Sequence, residues 1–313
     1  MSVLAVDLGG SHVGLAVEAE GRVLAEMTIA TDARSMSEVL PKIEAGLLDC
    51  CERAGVSPRN CRGIGFGIPS LVDGRTGEVL SAFNKFADLD AGALRGWSEV
   101  VFGLPLRIEN DAALALLGEH RAGAARGFGD VVLVTLGTGI GVSAMLEHRL
   151  IRSRMGHAGS LGGHFTLKMD GRRCACGAIG CAEAEASTSV LPAIAAAWPG
   201  FAESELAAST RLDYAEVFRA KEAGDRVARE IVDHSIAVWS ALAATLVHAY
   251  GPQVILFGGG VMARGEEILG PVRAYVQRHA WRSSRGASQI ESAALGTHAA
   301  YVGAEALFEE GYV

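Results

Sequence analysis

The chain has 313 residues, 50% hydrophobic and 20% charged, which suits a soluble globular protein of one large or two medium domains. A net charge of −8 and a pI near 5.6, with lysines and arginines scattered, disfavour nucleic acid as a partner. Apolar runs such as VVLVTLGTGIGV are broken by glycine well short of the roughly 20 residues that span a bilayer, so no membrane partner is expected.

The chain opens on a strand-like run, MSVLAVDLGG, with no charged leader or apolar signal ahead of it, and a cytoplasmic location is expected. VLAVDLGGSHVGLAVEAEGRVLAE reads as strand, glycine loop, strand, turn and strand. SMSEVLPKIEAGLLDCCERAG has helical spacing at Val39, Ile43 and Leu47 and ends at Gly55; Cys50 and Cys51 fall on it as packing residues. CRGIGFGIPSLVDGRTGEVL predicts a strand, a tight loop and a hairpin turn, with Cys61 again a packing residue. LPLRIENDAALALLGEHRAG predicts a strand to Ile108 and then a helix with Asp111 at its start. VVLVTLGTGIGVSAMLEHRLIRS repeats the opening order of strand, glycine loop and strand. Residues 188–200 and 214–250 are read as helical, PQVILFGGGVMARGEEIL as strand, glycine loop and helix, and LGTHAAYVGAEALFEEG as a closing helix that packs back on the first half.

In both repeats the glycine loop is followed by a strand, whereas a Rossmann or Walker loop opens a helix. A glycine loop at a hairpin still offers backbone N–H groups to phosphate oxygens. The repetition suggests two related α/β halves. The stretch GRRCACGAIGCAE places Cys174, Cys176 and Cys181 together, with His164 ten positions before the first. In a reducing compartment such a cluster points to a metal or to catalysis rather than to disulfides. Three thiolates and an imidazole make a closed set of the structural-zinc kind.

Taken in order, DLGGSH, GFGIPSLVD, ENDAALALLGE, TLGTGIG, H-x9-CACGAIGCAE and VILFGGGV resemble the motifs of the ROK family (repressors, open reading frames and sugar kinases) of the actin-like ATPase superfamily, from Val3 to about Leu307. The resemblance implies an α/β protein of two actin-like, ribonuclease H-like domains flanking a cleft, with a zinc-stapled loop. It puts a small domain at 1–112 plus the C-terminal helix 296–313, a large one at 113–295, and a homodimer. It implies ATP, Mg²⁺ and a structural Zn²⁺ held by His164, Cys174, Cys176 and Cys181. Asp111 would be the general base, although an Asp at a helix start otherwise reads as an N-cap. Asp7, Gly9, Gly10, Ser11 and His12 would wrap the ATP phosphates, with Asp7 near Mg²⁺; Gly137, Thr138 and Gly139 form the second phosphate loop. Gly258, Gly259 and Gly260 would receive the nucleoside. Asn84, Asn110, Glu183 and His164 would join Asp111 in contacting the sugar, whereas His157 and Glu185 have weaker claims.

One departure stands out. The family shows Glu-x-Gly-His at the ligand histidine, and this chain reads HAGSLGGH. Leu161 holds the Glu position counting back from His164; Ser160 holds it if one glycine is inserted. The expected activity is ATP-dependent phosphorylation of a hexose or N-acyl-hexosamine, at C6, with glucose recognition weakened by that loss. The alternatives are a sugar-sensing repressor, disfavoured by six residues ahead of Asp7 and by the acidic charge, and a catalytically weak sugar-binding regulator.

Overall fold

The computed structural model describes residues 1–9, 12–30, 35–81, 86 and 88–309. In chain order the elements are β1 (Val3–Leu8), β2 (His12–Ala19), β3 (Arg22–Ala30), α1 (Met36–Ala54), β4 (Ile64–Ile68), β5 (Val72–Asp73), β6 (Glu78–Val79), α2 (Ala91–Phe102), β7 (Leu106–Asn110) and α3 (Asp111–Ala122). There follow β8 (Val131–Leu136), β9 (Ile140–Leu146), β10 (Arg149–Leu150), α4 (Ala182–Ala186), α5 (Leu191–Ala196), α6 (Tyr214–Glu222), α7 (Arg226–Tyr250), β11 (Val254–Gly258), α8 (Gly265–His279), β12 (Gln289–Ser292) and α9 (Ala299–Ala306).

Two five-stranded sheets carry the same plan. The first runs β3-β2-β1-β4-β7 and the second β10-β9-β8-β11-β12. In the first, β1 pairs antiparallel with β2 and β2 with β3, while β4 and β7 add on in parallel. In the second, β10 pairs antiparallel with β9, while β11 is parallel to both β8 and β12. The repeat seen in the two glycine-loop stretches therefore extends to the whole strand order, and both loops are followed by a strand, as expected.

Two compact units divide the chain: residues 1–129, 143–160 and from 293 onward in one, and 130–142 with 161–292 in the other. The boundary passes inside β9. These units are drawn elsewhere than a division into 1–112 plus 296–313 and 113–295, because α3 packs against α9. Gly118 and Gly303 permit that packing: a Cβ at either would lie 2.0 Å from Ala299 O or 1.9 Å from Leu114 O. Buried Glu119 adds to it, accepting hydrogen bonds from Ala294 N and Leu295 N just ahead of α9.

The core of the first unit is the interior of its sheet and α1. Leu4, Val6, Leu15, Val17, Ile64 and Phe66 pack with Val39, Ile43 and Leu47, as the helical spacing predicts, and Cys50, Cys51 and Cys61 are buried among them. Ser35 caps α1 through a bond from Glu38 N, and Gly55 closes it in the left-handed region at φ 67°.

The second unit departs from the sequence reading in two places. Of 188–200 only Leu191–Ala196 is α-helical, and 214–250 is broken where Gly224 takes φ 96° and Asp225 caps α7 through Ala228 N. By length and composition alone α7 could cross a membrane. Its Ile231, Trp239, Leu242 and Leu246 are buried, and it packs on α4, α6 and α8 as a core helix.

Candidate active site and metal centre

In the first unit the parallel strands β1, β4 and β7 deliver their carboxyl ends, the usual place for a ligand in an open α/β sheet. β1 carries Asp7, and β7 ends at Asn110 with Asp111 opening α3. The N-cap is Asn110, whose Oδ1 accepts from Ala113 N at 3.1 Å. Asp111 is thereby released from capping. Its Oδ1 instead accepts from Ala112 N at 2.8 Å and from Asn110 Nδ2 at 3.0 Å. The other Asn110 amide proton goes to Ser70 O, so the side chain has no donor left for a ligand.

Two carboxylates share this end of the sheet. Burial, and then the charge of Asp7, push Asp111 up to about 7. Burial pushes Asp7 up to about 6 against the opposing pull of His12. Each is poised to lose its proton near neutrality, and each would be relieved by a nearby cation. Gly9 N bonds to His12 O at 3.0 Å and turns the chain from β1 to β2. Gly10, Ser11 and Asn84 lie outside the described residues.

A cavity of about 20 Å³, room for one water, lies beside Asn110 and is lined by Glu109, Arg152, Ser153 and Ser160 among others. Ser160 lines it and Leu161 does not. Sequence reasoning missed the pair at its wall: Arg152 Nη2 bonds Glu109 Oε2 at 2.5 Å, with Glu109 only 2% exposed. Glu109 Oε1 in turn accepts from Asn110 N. The partners are 43 residues apart, and no local pattern announces them.

In the second unit β8 and β11 also end on glycine loops. Gly137 N bonds to Gly139 O at 3.0 Å and leaves Thr138 exposed at the tip. Gly258 pairs with Thr135, and Gly259 takes φ 90° where a Cβ would lie 2.3 Å from Leu136 O. Only glycine permits that approach, so the Gly137, Thr138 and Gly139 loop and Gly258, Gly259 and Gly260 lie side by side.

His164, Cys174, Cys176 and Cys181 converge as expected, their ligand atoms all within 4.8 Å of one another. His164 Nδ1 is 3.5 Å from Cys174 Sγ, and Cys176 Sγ is 3.7 Å from Cys181 Sγ. A tetrahedral zinc with bonds of about 2.3 Å to sulfur and 2.0–2.1 Å to nitrogen sets those separations near ~3.6 and ~3.8 Å. The donor set and its spacing fit zinc.

The metal loop is joined to the glycine loop by α4, which starts directly after Cys181. Glu183 in its first turn accepts from Ile140 N at 2.9 Å. Thr188 N and Ser189 N bond to Gly137 O and Thr138 O. Glu185, given a weak claim from sequence, is buried and holds the metal loop by accepting from Arg172 N at 2.5 Å. Asp7, Gly9, His12, Asn110 and Asp111 thus fall in the first unit. Gly137, Thr138, Gly139, His164, Glu183, the cysteines and the Gly258 loop fall in the second.

A duplicated α/β plan with glycine loops at the carboxyl ends of its parallel strands is the actin-like class. The chain belongs to the ROK family, whose model matches residues 3–311. It is 30% identical to a glucokinase of Thermotoga maritima over 99% of this chain and 98% of that one. The crystal structure of a ROK family glucokinase from Streptomyces griseus in complex with glucose and AMPPNP is 32% identical, covers 98% of this chain and 99% of its own, and superposes with a TM-score of 0.82. A xylose repressor of Caldicellulosiruptor bescii is 26% identical over 98% of this chain and 77% of its own.

Proposed function

We propose that this protein is an ATP-dependent sugar kinase that phosphorylates a hexose or N-acyl-hexosamine hydroxyl, at C6, with Asp111 as the general base. The observation that carries this reading is Asp111 itself, a desolvated carboxylate relieved of capping by Asn110 and brought to about 7. Ala112 N and Asn110 Nδ2 both hold Oδ1, which orients the carboxylate to accept the sugar's proton. A base near neutrality is well matched to proton transfer as the phosphoryl group arrives. The glucokinase relatives support the reaction class.

The residues present also suit the partners such a reaction needs. ATP phosphates would be bound at the Gly9 to His12 turn and at the loop of Gly137, Thr138 and Gly139, with the nucleoside at Gly258, Gly259 and Gly260. Asp7 would hold Mg²⁺, which supplies neutralisation of phosphate charge. Asn110 orients the base. His164 and Glu183 remain the proposed sugar contacts, alongside Asn84. Zinc on His164 and the three cysteines would be structural, fixing α4 and through Glu183 the phosphate loop.

The missing carboxylate at Ser160 favours a second reading, a sugar-binding regulator with little turnover. ADP release from zinc-loaded protein across a sugar panel separates the two. Turnover with at least one hexose or N-acyl-hexosamine supports the kinase; saturable sugar binding without ADP release would replace it with the regulator.

A further inference from the structure

A cavity of about 580 Å³ in the first unit is lined by three arginines: Arg75 between β5 and β6, Arg95 on α2 and Arg107 on the edge strand β7. That volume falls within the roughly 300–1,000 Å³ of small-molecule sites. None of its lining residues is among those assigned above to sugar, nucleotide or zinc. Each guanidinium has a holding bond. Arg95 donates to Thr76 O and Arg107 to Leu307 O. Arg75 Nε donates to Asp73 at 3.3 Å, and the Arg107 guanidinium also lies 5.3 Å from the centroid of the Phe308 ring. A guanidinium has five N–H donors, so the forks are positioned while most of their donors are left over. Among the described residues lining the cavity the one carboxylate, Glu309, is already bonded to Arg121. In a chain of net charge −8 the three arginines are a local concentration of positive charge that the described lining residues do not match with an equal number of anions.

We propose that this cavity is a binding site for a phosphate ester of hexose-phosphate size, gripped in bidentate fashion by Arg95 and Arg107 with Arg75 at the rim. A phosphate monoester carries the near-double negative charge that several guanidinium groups call for, and its oxygens match their fork. The remaining volume takes the organic group, which Thr76 and the Phe308 ring would contact.

Calorimetric titration of the purified protein with glucose 6-phosphate, inorganic phosphate and glucose tests this. Glucose 6-phosphate is expected to bind the wild type, and Arg95→Gln to weaken it by at least about tenfold, the usual effect of losing a charge-assisted bond. Arg95→Lys should retain part of the affinity. Arg75→Gln, at a half-exposed residue, is a second variant should Arg95→Gln fail to fold. Glucose 6-phosphate would also be a product of the proposed reaction, so the titrations are repeated in Asp111→Asn, where the arginine dependence should persist. Equal binding of inorganic phosphate, lost with the same arginines, supports the site with free phosphate as its occupant. Affinity unchanged by both arginine variants, or no binding of either phosphate-bearing probe, overturns the proposal.

Discussion

Asp111 and Asn110 are both competent N-caps, and the sequence alone does not say which of two adjacent residues takes the role. The structure gives it to Asn110, and the chemistry follows from that choice. Asp111→Asn should leave ATP affinity nearly unchanged and lower kcat by about 10²–10⁴-fold, which single-turnover kinetics will read. In the wild type kcat should rise with pH through about 7, because the base acts only when deprotonated. Stability carries the opposite sign. A carboxyl raised from 3.8 to about 7 binds its proton more tightly when folded, so stability is lost as pH climbs between those values. Asp111→Asn should therefore melt higher than wild type at pH 8 and equal it at the acid end. Glu18 follows the same rule. Burial, and then Glu305, push it up to about 8, while Arg121 pairs with Glu305 at 2.9 Å. Glu18→Gln should raise the melting temperature at pH 8 and change it little near pH 5; an unchanged melting temperature at pH 8 would refute the buried strain.

Among the elements, the metal loop was the most legible because its ligands are local, with three cysteines inside eight positions and a histidine ten before them. Its coupling to the loop at Gly137, Thr138 and Gly139 was not legible. Glu183 meets Ile140 across 43 residues, and only the folded course of α4 brings them together. This coupling makes a prediction that a purely sugar-facing zinc loop does not. Cys176→Ser should lose stoichiometric zinc by metal analysis and weaken ATP as well as sugar. Loss of zinc with ATP affinity intact would confine the metal to the sugar side. Helix limits were less legible. The apolar spacing of 214–250 runs on through Gly224, and it is the capping side chain of Asp225 that restarts the helix.

For the molecule as a whole, two glycine loops each followed by a strand were enough to suggest duplicated halves, and the common strand order extends that likeness to both sheets. The choice of sugar was not written so plainly, since it depends on side chains that converge from distant segments. With Leu161, or Ser160 if one glycine is inserted, where the family shows Glu, one charged hydrogen bond worth about 1.5–3 kcal/mol would be missing, roughly ten- to a hundredfold in affinity. Glucose should therefore be a weak substrate, and kcat/KM across glucose, mannose, allose, fructose, N-acetylglucosamine and N-acetylmannosamine should favour another sugar or spread broadly. Ser160→Glu should shift that ratio toward glucose. Efficient glucose-exclusive turnover by the wild type would mean that another residue has taken over.

The central claim is that this fold transfers phosphate from ATP to a sugar with Asp111 accepting the proton. Sugar-dependent transfer of the γ-phosphate, followed by ³¹P NMR in wild type and Asp111→Asn at equal ATP occupancy, tests it most directly. A phosphate ester on the C6 hydroxyl is expected in the wild type, with at least about a hundredfold slower formation in the variant. A variant that keeps more than about a tenth of the wild-type rate, well inside the range expected for a general base, would contradict it.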